Sequence, residues 1–375
     1  SYRKASNSVF EYLQKENIDY LGDVIPAEEQ GAFDFENNTE FEFVFEIGEA
    51  PAINLELSDK DKLTYHSIKI DKKMHDDYRS NYLRRYGRLV DADEVTSDEA
   101  LTVTLDNGDM NVADAYVGLI SMTDEERKPF LGKKVGDKMK VNINELYKTP
   151  AQRAACLQVK EHELDGINPE FEMEITKIRR FAEPELNEEF FKMAFPQGNV
   201  TSEAEFDKYL DAQIESELRR ESDYLFTLQL RDYLLKKADL KMPVPFLKRW
   251  LYTINEGKFT MEEIEKDFDQ FLKMFTWNYL QKHFIKADNL TVTKEEATAE
   301  AKALAAAQFA QYGMPSAPDD MLAGYAEKIL ADKDQGQKIY EKLYETKVVD
   351  DIKSKIKVTE KAVSAEDFAK LAKEL

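Results

Sequence analysis

Four histidines, one cysteine and 74 carboxylates are the residues of this 375-residue chain best equipped for bond-making chemistry. His66, His75, His162 and His283 stand far apart, and only His75, followed by Asp76 and Asp77, has carboxylates directly beside it. A histidine next to two aspartates could ligate a metal. This triplet falls on a polar helical stretch, however, where a solvated charged face is expected, so no metal site is assigned. Cys156, the single thiol, reads as a small apolar filler rather than a nucleophile. With so many acidic residues, runs such as Asp124-Glu125-Glu126 and Glu188-Glu189 arise by chance and do not argue for acid–base catalysis. No Gly-x-Gly-x-x-Gly or Walker loop occurs, so there is no sequence case for a nucleotide, and no cofactor is expected.

The chain is rich instead in side chains that make apolar contact. Phe271, Met274, Phe275, Trp277, Tyr279 and Phe284 crowd one helical stretch and read as core. Phe309, Tyr312, Met314, Met321 and Tyr325 are placed differently, flanking a turn that contains Gly313, Pro315 and Pro318. A hairpin tip is a poor place to bury rings in a central core. Flexible Met and amphipathic Tyr at such a tip suit adaptable contact with varied apolar sequences. Phe309, Tyr312, Met314 and Met321 are therefore the candidate contact residues.

Bulk properties narrow the partners. There are 52 Lys and Arg against 74 Asp and Glu, and the resulting net charge of −22 disfavours attraction to a phosphate backbone, so no direct nucleic-acid partner is expected. No apolar run approaches the roughly 20 residues that span a bilayer, so no membrane is expected either. One cysteine allows no intrachain disulfide, which fits a reducing, cytoplasmic setting. The chain opens on Ser-Tyr-Arg rather than Met, as an expressed fragment would.

The elements that must position these residues follow from periodicity. A short helix over residues 4–15 leads to Phe41, Phe43, Phe45 and Ile47, which alternate with glutamates as in a strand with one buried face. Leu63 to Ile70 suggests a further strand, and Lys72 to Leu89 a polar helix. Leu101, Val103 and Leu105, then Met139, Val141 and Ile143, then Phe171, Met173 and Ile175 alternate between turn signals, giving a compact α+β module over about 91–181. From Glu183 strand signals nearly vanish. A leucine stripe from Leu210 to Leu235 marks one long helix, and Thr260-x-x-Glu263 and Thr293-x-x-Glu296 resemble capping boxes that open two more. Helices over about 319–330 and 337–356 and a short one from Ser364 complete the chain, joined as antiparallel hairpins.

Four segments carry a family resemblance: Phe41-Glu-Phe-Val-Phe-Glu followed by Pro51, Ala182-Glu-Pro-Glu-Leu-Asn-Glu-Glu-Phe190, Ala238-Asp-Leu-Lys-Met-Pro243, and Ile356-Lys-Val-Thr-Glu-Lys361. In order and spacing the chain resembles the trigger factor family, bacterial chaperones of nascent chains. The resemblance implies an α+β multidomain protein: residues 1–47 as the end of a ribosome-binding domain, 48–90 as a linker strand and helix, 91–181 as an FKBP-like prolyl isomerase module, and 182–375 as a helical domain with two arms. It implies an ATP-independent chaperone that transiently binds apolar segments of unfolded or nascent polypeptides, with the ribosome as a partner of the missing N-terminal region and a homodimer as an open option. The family's docking loop, Gly-Phe-Arg-x-Gly-x-x-Pro, is absent from these residues.

The isomerase module departs from the FKBP pattern. Trp250 and Trp277 both lie in the helical half, and Lys128-Pro-Phe-Leu-Gly132 is the nearest echo of a Val/Ile-Pro-Gly-Phe segment. Tyr116, Phe130 and Tyr147 could line a shallow, degenerate proline pocket, although core roles suit them better. An active prolyl isomerase and an acidic scaffold for one folded partner remain the alternative functions.

Overall fold

The structure, a computed structural model, describes residues 2–31, 33–314 and 316–375. Two compact units divide the chain: Ser1–Lys69 with Leu218–Leu375, and Ile70–Glu217.

The first unit begins with helix α1 (Tyr2–Lys15) and strands β1 (Tyr20–Pro26) and β2 (Phe45–Glu49), which pair antiparallel from Tyr20 opposite Glu49 to Pro26 opposite Phe45. The alternating Phe41–Ile47 pattern predicts a longer strand than this. Its first half has no ladder partner, because β1 stops at Pro26, and Val44 is held instead by the Gln30 side chain and by the Ala27 backbone. Strand β3 (Lys62–Ile68) ends this first pass.

The second unit opens with α2 (Lys72–Arg84), capped by Asp71, whose carboxylate accepts from Met74 N at 2.8 Å. Strands β4 (Arg88–Ala92), β5 (Ala100–Asp106) and β6 (Asn111–Gly118) follow, then α3 (Asp124–Arg127), β7 (Lys138–Asn142), α4 (Ile143–Leu146), α5 (Pro150–Leu157) and β8 (Glu170–Ala182). The sheet runs β4-β8-β5-β6, with β7 also pairing β8. All of these pairs are antiparallel. The expected alternation is real: Leu101, Val103 and Leu105 are buried with Met173 and Ile175, while the residues between them are more exposed. Asp106-Asn107-Gly108-Asp109 makes the β5–β6 turn, with Gly108 at φ +90 and its N–H donating to Asp106 Oδ1 at 2.8 Å. Beyond the sheet, α6 (Glu188–Ala194) and the start of α7 (Glu203–Ala238) join α2 around a cluster of Phe190, Phe195, Phe206 and Leu210 with Tyr82 and Tyr209.

The rest of α7 belongs to the first unit. There it packs Phe226, Leu230 and Leu234 against α9 (Met261–Ala287) and α12 (Lys333–Lys353) through Trp277, Leu280, Phe284, Val348 and Ile352. Helix α8 (Val244–Ile254) and α9 cover β1 through Phe246, Leu247, Ile264 and Phe268. A Cβ on Gly48 would stand 2.4 Å from the Phe246 ring, so the close approach of β2 to α8 requires glycine there. Helices α10 (Lys294–Gln311) and α11 (Asp319–Ala331) form a hairpin packed against α12. One element runs against expectation. Residues 357–363, in the half where strand signals nearly vanish, form β9 (Lys357–Val363), which pairs parallel with β3 from Lys62 opposite Lys357 to Ile68 opposite Val363. The short α13 (Ala365–Lys373) follows, capped by Ser364.

Candidate functional site

The α10–α11 hairpin is built on alanine. Thr293 caps α10, its hydroxyl accepting from Glu296 N, and Ala297, Ala301 and Ala305 are buried against Ala326 and Ile329 of α11. Side chains this small let two helices approach closely, with Ile329 and the half-buried Leu322 and Leu330 packed beside them. Other large apolar side chains of the hairpin are exposed around its end.

That end is a Schellman turn. Gly313 takes the left-handed conformation at φ +87, Met314 N donates to Phe309 O at 2.8 Å and Gly313 N to Ala310 O at 3.2 Å, so the last carbonyls of α10 are satisfied as the chain turns. Around the turn Tyr312 is 83% exposed, and Leu304, Met314, Met321 and Tyr325 also present large apolar surfaces to solvent. Phe309 is half-buried and meets Tyr325 edge-on at 4.7 Å between ring centroids. Thus the four candidate residues named from sequence lie on one hairpin end, three of them exposed and Phe309 half-buried against Tyr325. Pro315 of the expected turn lies outside the described residues.

Sequence reasoning missed a second exposed set. At the α8–α9 turn Tyr252, Ile254, Phe259 and Met261 are exposed around Glu256 and Gly257, both at positive φ. The signal was present, since these apolar residues flank Asn255-Glu256-Gly257 as the others flank Gly313.

In the sheet-bearing unit the three pocket candidates part company. Phe130 is 3% exposed and belongs to the core with Met122 and Val141. It also borders a cleft of about 270 Å³ with Met122, Pro129, Met139 and Leu146, whose described lining includes neither Tyr116 nor Tyr147. Tyr147 instead donates its hydroxyl to the Tyr116 carbonyl at 3.2 Å, while the Tyr116 ring is 61% exposed. Burial beside Tyr147 pushes the Cys156 thiol up to about 11, the setting of an inert thiol.

Among the described residues no three His, Cys, Asp or Glu side chains are arranged to hold a metal, and no helix is long and apolar enough to cross a membrane. His75 corrects an expectation. It does not stand on a solvated face; its ring is mostly covered and lies between Asp207 and Asp211 of α7.

Comparison with known proteins decides the family. Residues 89–183 match "Probable trigger factor, FKBP-like domain", and residues 222–372 match "Probable trigger factor, C-terminal domain". The chain belongs to the trigger factor family. It is a chaperone of unfolded or nascent polypeptides, with the family's α+β architecture of FKBP-like module and large helical C-terminal region. A solved structure of the trigger factor chaperone, concerned with promiscuous substrate recognition in folding and assembly, is 14% identical with a TM-score of 0.48, over 92% of this chain and 82% of that one. A search of curated proteins found no match.

Proposed function

We propose that this chain holds unfolded clients through the α10–α11 hairpin end, with Tyr312, Met314 and Met321 as contacts and Phe309 as their support, and that it does so without ATP. The observation that carries the reading is the concentration of exposed Tyr and Met around a Schellman turn whose own helices are closed by alanine. Each client side chain buried there gains about 1.5–3 kcal/mol, less the cost of ordering the segment, so single contacts stay weak and release stays fast. The net charge of −22 keeps loaded copies apart.

The functional division that goes with this reading assigns residues 1–47 to the end of a docking domain, 48–90 to a linker, 91–181 to the isomerase-like module and 182–375 to the helical domain, in a cytoplasmic protein. Ribosome docking belongs to the family's docking loop, which these residues do not contain. The reading holds for a monomer or a homodimer alike.

The test is light scattering from an aggregation-prone unfolded enzyme diluted into nucleotide-free buffer, together with client affinity by fluorescence anisotropy. The chain is expected to suppress scattering near stoichiometric ratios. Charge substitutions at Phe309, Tyr312, Met314 and Met321 together are expected to weaken client affinity by about tenfold or more. Unchanged affinity in that variant would sink the assignment.

A further inference from the structure

Helix α13 hangs from a firm anchor. Strand β9 is paired with β3 along its whole length, and Lys69 N donates to Val363 O at 2.9 Å, so the chain is fixed as far as Val363. Only Ser364 separates this ladder from the helix, which it caps by accepting from Asp367 N at 3.1 Å. Beyond that point the hold is slight. Phe368 is the one buried side chain of the nine residues of α13, and a helix this short has little stability of its own.

A cleft of about 360 Å³ lies between α13 and α7, with Ile68 of β3 also lining it. All of these residues belong to one compact unit. Helix α7 brings Leu218, Tyr224, Leu225 and Leu228, the spacing of one helical face, while α13 brings Ala365, Ala369 and Ala372 beside Phe368. Large side chains set against alanines leave space unfilled, whereas a finished helix pair interdigitates with few voids larger than a water molecule. Glu221 is the one charged residue in the described lining, and the Tyr224 ring is 68% exposed.

We propose that α13 is a strap over a client seat. At rest it covers the Leu218–Leu228 stripe of α7, and an apolar client segment carrying an aromatic side chain takes the stripe by displacing Phe368. The resident ring shows the chemistry that fits, a phenyl group brought in on a short amphipathic segment and buried to 7% exposure. Unfolded or nascent polypeptides, the clients of this family, supply such segments. A second copy of the chain is not the occupant, because a cleft for a few side chains falls far short of the roughly 800 Å² per partner that a stable interface buries. The seat lies apart from the α10–α11 hairpin end and does not rest on its assignment. Since the strap leaves the seat free only part of the time, it lowers the apparent affinity by that fraction.

Binding of a short fluorescein-labelled unfolded peptide of Phe, Leu, Ser and Gly to the full chain, read by anisotropy, tests this together with amide hydrogen exchange of α13. Saturating peptide is expected to speed exchange across residues 365–373. Phe368→Ser, which removes the anchor of the strap, is expected to tighten peptide binding about three- to tenfold by freeing the seat. Tyr224→Glu with Leu228→Glu is expected to abolish that gain. In a chain carrying the hairpin charge substitutions the gain is expected to persist, which separates this outcome from failure of the hairpin reading. The proposal is overturned if peptide leaves α13 exchange unchanged, or if Phe368→Ser binds no more tightly than the parent. A gain that survives the Tyr224 and Leu228 changes, or disappears with the hairpin substitutions, would overturn it as well.

Discussion

Two buried carboxylates tie distant segments together, each combining backbone donors two or three residues away with side-chain donors far along the chain. Asp61 is 3% exposed and accepts from Tyr233 Oη at 2.5 Å, Lys237 Nζ at 2.6 Å and Ser58 N at 2.9 Å, so the turn before β3 is fastened to α7. Glu99 accepts from Thr96 N at 2.8 Å, Ser97 N at 2.6 Å and Arg180 Nη2 at 3.0 Å, closing the loop before β5 onto β8. Burial alone would raise both carboxyls, but the donors outweigh it and hold each at about 2. A carboxyl lowered in the folded state stabilises above its unfolded pKa near 4, and that stability is lost as pH falls toward 2. Acid titration followed by circular dichroism should show the parent chain losing stability over this interval, with Glu99→Gln showing a shallower loss. Asp61→Ala, which leaves Tyr233 and Lys237 without their acceptor, should cost about 2–4 kcal/mol in urea unfolding.

Between elements, close approach is the recurring device. At α10 and α11 it rests on Ala297, Ala301, Ala305 and Ala326, all completely buried. Ala301→Leu should force the helices apart and cost about 1–3 kcal/mol, read as a lowered thermal midpoint. Because the same displacement moves the Schellman turn, client affinity should fall with it, whereas a surface change such as Lys338→Ala should alter neither. The FKBP-like module supports a further expectation. Phe130 is committed to the core and Tyr147 to the Tyr116 carbonyl, so turnover of a short Ala-Pro-Phe peptide should be far below that of an FKBP. Turnover at FKBP level would mean that the cleft beside Phe130 closes on proline in a way its lining does not suggest.

For the molecule as a whole, the proposed function turns on several weak contacts acting on one flexible client. If the α8–α9 end contributes alongside the α10–α11 end, charge substitutions at Tyr252, Phe259 and Met261 should weaken client binding on their own. Combined with the Tyr312 set they should reduce it by more than either alone, since a client held at two places profits from a high effective concentration at the second. An α8–α9 variant that binds as the parent does would restrict contact to the α10–α11 end. Neither measurement should respond to added ATP.

Local periodicity was enough to determine most elements of this protein. The strands around Leu101 and Ile175, the capped helices after Thr260 and Thr293, and the exposed turn at Gly313 all depend on neighbours within a few residues, and there the chain's own pattern decides. The tertiary structure decided what depends on partners far along the chain. Strand β9 exists because β3, almost 300 residues earlier, offers it a ladder, and Phe41 to Val44 fall outside β2 because β1 ends too soon. His75 reads as solvated until α7 supplies Asp207 and Asp211, and only the fold shows Phe130 in the core and the Tyr147 hydroxyl on the Tyr116 carbonyl. Each of these outcomes is a contact energy with a distant residue, which no local pattern encodes.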